Sequence, residues 1–351
     1  MRHEATEICE LASRGAATYA SSYIMRRLGR RNAYLIGATL GATGGLLAAT
    51  GVFAASFLIF CLGTFVAGFY AANVQNYRFA AADGVIGSLR ARAISLVMVG
   101  GLFAAIIGPQ LVIWTRGLIP AAPFAGSFLS QVALAALALP VLFQLRMPGA
   151  VTGSARTGGR PLLAILLMPR FMLSVACGVV SYGLMTFVMT AAPMAMVGHG
   201  HSVDMAALGI QWHILAMFAP SFITGPLIAR FGKERIVAIG LVLLAASAIA
   251  ALSGTAIGHF WGSLILLGLG WNFGFIGATA MVTDCYAPEE RGKAQGANDF
   301  MVFGVVAGAS FFSGSLLHAS GWEAINWLIF PAVALILVPL LWRVGTLKST
   351  S

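Results

Sequence analysis

The polar side chains that stand inside long apolar runs are the residues of this sequence most able to do chemistry. The richest run is GFYAANVQNYRFAAAD, which carries amide and cationic donors at Asn73, Gln75, Asn76 and Arg78. Asn73 and Asn76 share one helix face with Phe69, and this face can hydrogen-bond a small solute. Arg78 either attracts an anionic group on that solute or acts with Asp83 as an ion pair or interfacial anchor.

A second set of candidates combines aromatic rings with polar groups. Trp271 and Asn272 stand together in GLGWNFGFIG. An aromatic ring beside an amide suits a flat or ring-bearing solute, through stacking and a hydrogen bond. The alternative role of this pair is helix packing among the neighbouring glycines. Tyr182 and Thr186 share a helix face and are candidates for the same kind of solute wall.

Two titratable residues inside apolar runs are candidates for carrying protons. Asp299 is the last residue of AQGAND and lies about one turn inside the apolar run 294–317, where an acid can take part in proton coupling. It can equally pair with Arg291 or Lys293 at the membrane surface. His213, in IQWHILAMFAP, is a second proton-coupling candidate, although a lone helical histidine can equally be a hydrogen-bonded packing residue.

The sequence lacks the patterns of an enzyme, a metal site or a nucleotide-binding site. It has no GxxxxGK[ST] stretch and no nucleophile with a convergent base. His199, His201 and Asp204 lie close together, but three such groups in one loop are weak evidence for metal binding. We therefore expect no enzymatic activity, no cofactor and no metal.

The composition identifies the medium around these residues. Of the 351 residues, 59% are hydrophobic and only 9% are charged, whereas about 25% are charged in a typical soluble domain. Such a chain cannot cover itself with polar surface, so we expect a polytopic protein in the lipid bilayer. The net charge of +10 lies in short segments between apolar runs. This indicates topology signals and not a nucleic-acid partner.

Ten continuous apolar runs are long enough to cross a bilayer as helices. They cover residues 33–55, 57–78, 93–115, 124–145, 171–194, 209–229, 236–254, 258–283, 294–317 and 322–342. Residues 9–25 form an eleventh, weaker candidate. The runs do not alternate polar and apolar residues, so they predict an all-α bundle. The basic segment 146–170 reads as a cytoplasmic linker between an N-terminal bundle, 1–145, and a C-terminal bundle, 171–351.

The basic residues also predict the orientation of the chain. If the spans alternate, every Lys and Arg except Arg2, Arg14 and Arg116 lies on one side of the membrane. By the positive-inside rule this side is cytoplasmic, and it includes the C-terminal tail. We therefore expect a multi-pass protein of the plasma, or inner, membrane with a cytoplasmic C-terminus.

A short basic motif occurs twice in the chain, 203 positions apart. MRRLGRRNAYLIG, beginning at Met25, aligns with IARFGKERIVAIG, beginning at Ile228. Gly29 aligns with Gly232. A repeat of this length, divided by a basic linker, predicts two homologous helical bundles in parallel orientation.

This arrangement resembles the major facilitator superfamily of secondary transporters, whose signature between the second and third helices is G-x-x-x-D-R-x-G-R-R/K. The first copy, SYIMRRLGRR, keeps four of the signature positions: Arg27, Gly29, Arg30 and Arg31. The second copy, GPLIARFGKE, also keeps four: Gly225, Arg230, Gly232 and Lys233. Arg26 and Ala229 stand where the family has its Asp. The resemblance implies that these loops make and break contacts during gating.

The resemblance implies a two-bundle fold of about 11 transmembrane helices, which is 12 minus the first, because the repeat places the partner of span 171–194 before Met1. In the family the first, fourth, seventh and tenth helices line a central cavity, which assigns the polar and aromatic candidates to a substrate cavity. The implied function is secondary active transport of a small solute by alternating access, coupled to H⁺, in a monomer. The alternative is a truncated non-transporting remnant, or a mis-started chain, of such a transporter.

Overall fold

The computed structural model describes residues 2–74, 77, 89–145, 159–287 and 289–348. Only the backbone is described at residues 2–23, 25–27, 30, 71–73, 89–99, 291, 292 and 344–348. Within the described ranges every regular element is an α-helix, as the apolar runs predicted. The chain divides into two compact units, Met1–Ser154 and Ala155–Ser351.

The described residues of the first unit form four long helices. They are α1 (Arg2–Phe53), α2 (Phe57–Val74), α3 (Leu89–Thr115) and α4 (Ala125–Gln144). Gly29 interrupts α1 with a non-helical conformation, and the part after it, Arg31–Phe53, is long and apolar enough to span a membrane. Helices α1 and α2 pack backbone against backbone, since a Cβ at Gly44 would lie 2.5 Å from the backbone N of Ala67. Small residues at such points allow helices to approach closely in lipid.

In the second unit, the part of the chain that the structure describes forms a short helix followed by seven longer ones. They are α5 (Leu162–Leu166), α6 (Pro169–Gly198), α7 (Val203–Phe218), α8 (Ser221–Phe231), α9 (Lys233–Leu252), α10 (Ile257–Thr283), α11 (Arg291–Trp327) and α12 (Ile329–Lys348). Ser202 caps α7 by accepting a hydrogen bond from the backbone N of Met205 at 3.2 Å. Leu241 and Leu244 of α9 and Leu267 of α10 are completely buried in the core of this unit.

Six helices of the described residues are long and apolar enough to cross a membrane, or seven if one bent pair counts as a single span. This confirms the polytopic helical fold that the sequence predicted. The bent pair is α7 and α8, which covers the predicted span 209–229 and is bent by 41°. Pro220 lies at the break, and a proline has no N–H to donate to the preceding turn.

Candidate solute-binding site and motif loops

Tyr182 of α6 and Trp271 of α10 meet in a cluster of aromatic rings within the second unit. Their ring centroids are 5.5 Å apart and their planes are nearly perpendicular, at 82°. Phe275, one turn after Trp271, stacks on it at 5.3 Å and meets the Tyr182 ring edge to face at 5.0 Å. Phe303 of α11 lies 5.7 Å from Tyr182, and Phe218, the last residue of α7, lies 6.0 Å from Trp271. The cluster therefore draws on four helices.

The cluster offers one polar group that the protein leaves unused. Among the described residues the indole Nε1 of Trp271 has no hydrogen-bond partner, although Trp271 is only 7% exposed. At the edge of the cluster, Tyr182 and Phe275 are half-buried and Phe303 is 37% exposed. A buried N–H without a partner costs free energy, so the arrangement fits a flat ligand that brings a hydrogen-bond acceptor.

Sequence reasoning singled out Tyr182 and Trp271 but not the other three rings of the cluster. Phe275 follows Trp271 by four residues, so its place on the same helix face was available from the spacing. Phe218 and Phe303 come from other helices, and no spacing rule connects them to Trp271. Thr186, one turn beyond Tyr182, is buried on α6 with 6% exposure.

The amide of Asn272 bonds to the broken pair α7–α8. Asn272 is completely buried. Its Nδ2 donates to the carbonyl O of Met217 at 2.6 Å and to Oγ of Ser221 at 2.8 Å. Its Oδ1 accepts a hydrogen bond from Oγ1 of Thr224 at 2.5 Å. The direct solute contact predicted for Asn272 stays a prediction.

The polar candidates of the first unit are not located by the structure. The backbone of Asn73 belongs to α2, but its side chain is not described. Gln75, Asn76 and Arg78 lie outside the described residues. Their role in a substrate cavity stays a prediction.

The two proton-coupling candidates have opposite surroundings. His213 of α7 is completely buried, with Nδ1 2.7 Å from the carbonyl O of Leu264 and with Nε2 lacking a partner among the described residues. Asp299 lies in the third turn of α11 and is exposed. Its Oδ1 accepts a hydrogen bond from Nδ2 of Asn298 at 3.1 Å. Of the two side chains, that of Asp299 is the exposed one.

The two motif glycines have nearly the same backbone conformation. Gly29 has φ 79° and ψ 162°, and Gly232, which ends α8 and precedes α9, has φ 89° and ψ 154°. Non-glycine residues rarely adopt this region. The third motif glycine, Gly225, lies inside α8.

The basic motif residues have more varied partners. The guanidinium of Arg31 lies over the Phe143 ring at 4.7 Å, and that of exposed Arg230 lies over the Phe231 ring at 5.3 Å. The side chains of Arg27 and Arg30 are not described. Lys233 donates to Oδ1 of Asp284 at 2.5 Å.

Asp284 and Glu290 bind basic residues beside the second motif loop. Asp284 joins Lys233 and Arg170, with its Oδ2 2.7 Å from Nη2 of Arg170. Glu290 makes a bidentate pair with Arg160 of the basic segment, at 2.8 Å from Nε and 2.7 Å from Nη2. Hydrogen bonds from the Arg160 side chain are the main reason that the pKa of the Glu290 carboxyl lies well below its ordinary value. The sequence predicted neither the pairing of Glu290 nor its burial.

The sequence and the fold both match one family. The family model of the Major Facilitator Superfamily matches residues 175–350. The riboflavin transporter RfnT of Brucella anthropi is 70% identical over 328 residues, which cover 93% of this chain and 82% of that protein. The MFS-type transporter YdeG of Bacillus subtilis is 33% identical over 338 residues, covering 91% of this chain and 77% of that protein.

Solved structures agree at the level of the fold. The nucleoside transporter NupG matches with a TM-score of 0.70 and 16% identity, covering 96% of this chain and 90% of the other. The proton:xylose symporter XylE also gives a TM-score of 0.70, with 14% identity and coverage of 95% and 84%. By fold and by relatives, the chain belongs to the major facilitator superfamily of membrane transporters.

Proposed function

We propose that this transporter moves riboflavin, or a closely related flavin, by secondary active transport with alternating access. The name of the relative that is 70% identical over 93% of the chain supports this substrate. The observation that carries the proposal is the aromatic cluster, with the buried and unpaired indole N–H of Trp271 at its centre.

The chemistry of a flavin fits this cluster. Its ring system is flat, aromatic and tricyclic, and it carries carbonyl and ring-nitrogen acceptors at one edge. Stacking against Trp271 and Tyr182 would bury its apolar faces, and the Trp271 Nε1–H would find an acceptor on the ring edge. Thr186, one turn beyond Tyr182 on α6, would be available for the polar ribityl chain.

We propose that transport is coupled to protons and that Asp299 carries the proton. Its carboxyl is exposed, whereas His213 is completely buried and bonded to the carbonyl O of Leu264. A coupling group must reach both the solute pathway and a proton source. The exposed side chain therefore suits this role better than the enclosed one.

The substrate is tested by measuring uptake of radiolabelled riboflavin into liposomes that contain the purified full chain, with and without an imposed proton gradient. We expect saturable uptake that the gradient accelerates. Lumichrome, which has the ring system without the ribityl chain, should compete with riboflavin, and ribitol should not. Liposomes without protein give the background. Equal competition by ribitol, or no saturable uptake, would count against a flavin substrate.

We further propose that the chain works as a monomer in the plasma membrane, with its C-terminus in the cytoplasm. The support for the orientation is the distribution of basic residues, because Arg230 in the last turn of α8 and Lys233 and Arg235 in the first turn of α9 lie close together in the chain. Fusions at the C-terminus test the orientation: green fluorescent protein should fluoresce there, and alkaline phosphatase should be inactive. The reverse result would contradict the proposed topology.

A further inference from the structure

Helix α10 is joined to the broken pair α7–α8 along one face, at three successive turns. Leu264, Gly268 and Asn272 are spaced by four residues, so they lie on the same side of α10. At the first turn, the carbonyl O of Leu264 is bonded to Nδ1 of His213. At the second, a Cβ on Gly268 would lie only 2.5 Å from the carbonyl O of His213, so the two backbones are in direct contact.

Asn272 makes the contact at the third turn, where α7 ends and α8 begins. It bonds to one residue before the break and to two residues after it, namely Met217, Ser221 and Thr224. The last carbonyls of a helix need partners from outside it. Asn272 supplies one to Met217 near the end of α7 and simultaneously holds the first turn of α8. One completely buried amide therefore fixes both sides of the 41° bend.

The break also carries one wall of the candidate solute site. Phe218 is the last residue of α7, and its ring lies 6.0 Å from that of Trp271. Trp271 directly precedes Asn272 on α10. The bonds of Asn272 therefore act between the two backbone segments that bear these rings.

We propose that Asn272 is a positioning residue that holds the α7–α8 break against α10 and so sets Phe218 against Trp271. The predicted effect of Asn272 on solute affinity rests on the proposed function. Its role in holding the α7–α8 break against α10 does not. Loss of the amide leaves the break free to change its angle, and the two rings then hold the solute less well. The affinity for the solute falls more than the maximal rate.

The test uses Asn272→Ala and the milder Thr224→Val, which removes the hydroxyl that bonds Asn272 and also lies 2.8 Å from the carbonyl O of Pro220. Asn326→Ala is the matched control, because Asn326 is also a completely buried asparagine but bonds within its own helix, to Trp322. Hydrogen–deuterium exchange measures the amides around the break in the purified full chain. Riboflavin uptake gives KM and the maximal rate.

We expect amide exchange at residues 218–224 to accelerate by about tenfold in Asn272→Ala and by less in Thr224→Val. In Asn326→Ala, exchange there should stay as in the wild type. The KM for riboflavin should rise by about five- to tenfold with a nearly unchanged maximal rate. Unchanged exchange at the break in folded Asn272→Ala or Thr224→Val would overturn the proposal. If the wild type does not move riboflavin, the proposed substrate is wrong. The exchange result still decides whether Asn272 holds the α7–α8 break.

Discussion

Gly29 and Gly232, 203 positions apart, have almost the same backbone conformation, with φ near +80° and ψ near 160° in both. Each stands where one helical segment ends and a basic motif residue begins the next: Arg30 in the first unit and Lys233 in the second. The alignment of the two motifs rested on residue types alone. The shared conformation shows that the two motif glycines are also alike in backbone geometry.

We expect Gly29→Ala and Gly232→Ala each to destabilise the protein by about 1–3 kcal/mol, because an alanine Cβ is strained in this backbone region. Space is not the reason, since nothing lies within 4 Å of a Cβ built at either glycine. Thermal unfolding in detergent measures the effect. Gly296→Ala is the control, because Gly296 lies in α11 with equal space around it and should be neutral or slightly stabilising. Equal losses at all three positions would contradict the conformational explanation.

Trp271→Phe should weaken riboflavin transport. The change keeps an aromatic ring but removes the unpaired indole N–H. If that N–H bonds the solute, its loss costs about 1 kcal/mol, and the KM rises by about fivefold. The smaller ring leaves a cavity at a buried position, so the melting temperature should fall, and removal of a buried donor without a partner offsets part of this loss.

Trp322→Phe is the matched control for this change. Trp322 is also buried, at 5% exposure, and its Nε1 also lacks a partner among the described residues. Its ring packs on Phe260, away from the cluster at Trp271. The control should therefore keep the wild-type KM. Equal changes in KM for both variants would mean that the Trp271 N–H does not bind the solute.

Much of the fold could be predicted from the sequence, because lipid imposes long apolar runs and the motif repeat gives the family. The break inside the predicted span 209–229 was also readable, since Pro220 stands within it. The hydrogen-bond partners of Asn272 and Glu290 could not be predicted from the sequence. Glu290 bonds to Arg160, which is 130 positions away, and such a pair depends on how distant segments come together. No local sequence pattern predicts this pair.

Asp299→Asn should uncouple transport from the proton gradient. An amide cannot take up or release the proton, so gradient-driven accumulation of riboflavin should disappear while exchange of riboflavin across the membrane continues. Liposome uptake with an imposed gradient and counterflow without one measure these two activities. Glu323→Gln, an exposed carboxyl at the other end of α11, should keep both. If Asp299→Asn still accumulates riboflavin under the gradient, Asp299 does not carry the proton, and His213 becomes the remaining candidate.

Glu290 should make the stability of the second unit sensitive to acid. Its side chain is only 3% exposed, and it accepts hydrogen bonds from Arg160 N, Nε and Nη2 and from Ala287 N. These bonds lower the pKa of the folded carboxyl below its ordinary value of 4.5. A carboxyl with a lowered folded pKa stabilises the fold at pH values above its unfolded pKa. That contribution is lost progressively as the pH falls below 4.5.

Glu290→Gln should therefore lower the melting temperature near neutral pH, and the gap between it and the wild type should shrink as the pH is lowered below 4.5. Glutamine has nearly the same shape, but its NH₂ group would meet the donors of Arg160 and Ala287. Glu289→Gln is the control, because Glu289 is exposed beside it. It should differ little from the wild type at any pH. A gap for Glu290→Gln that stays constant down to about pH 3 would show that the ionised pair does not stabilise this end of the bundle.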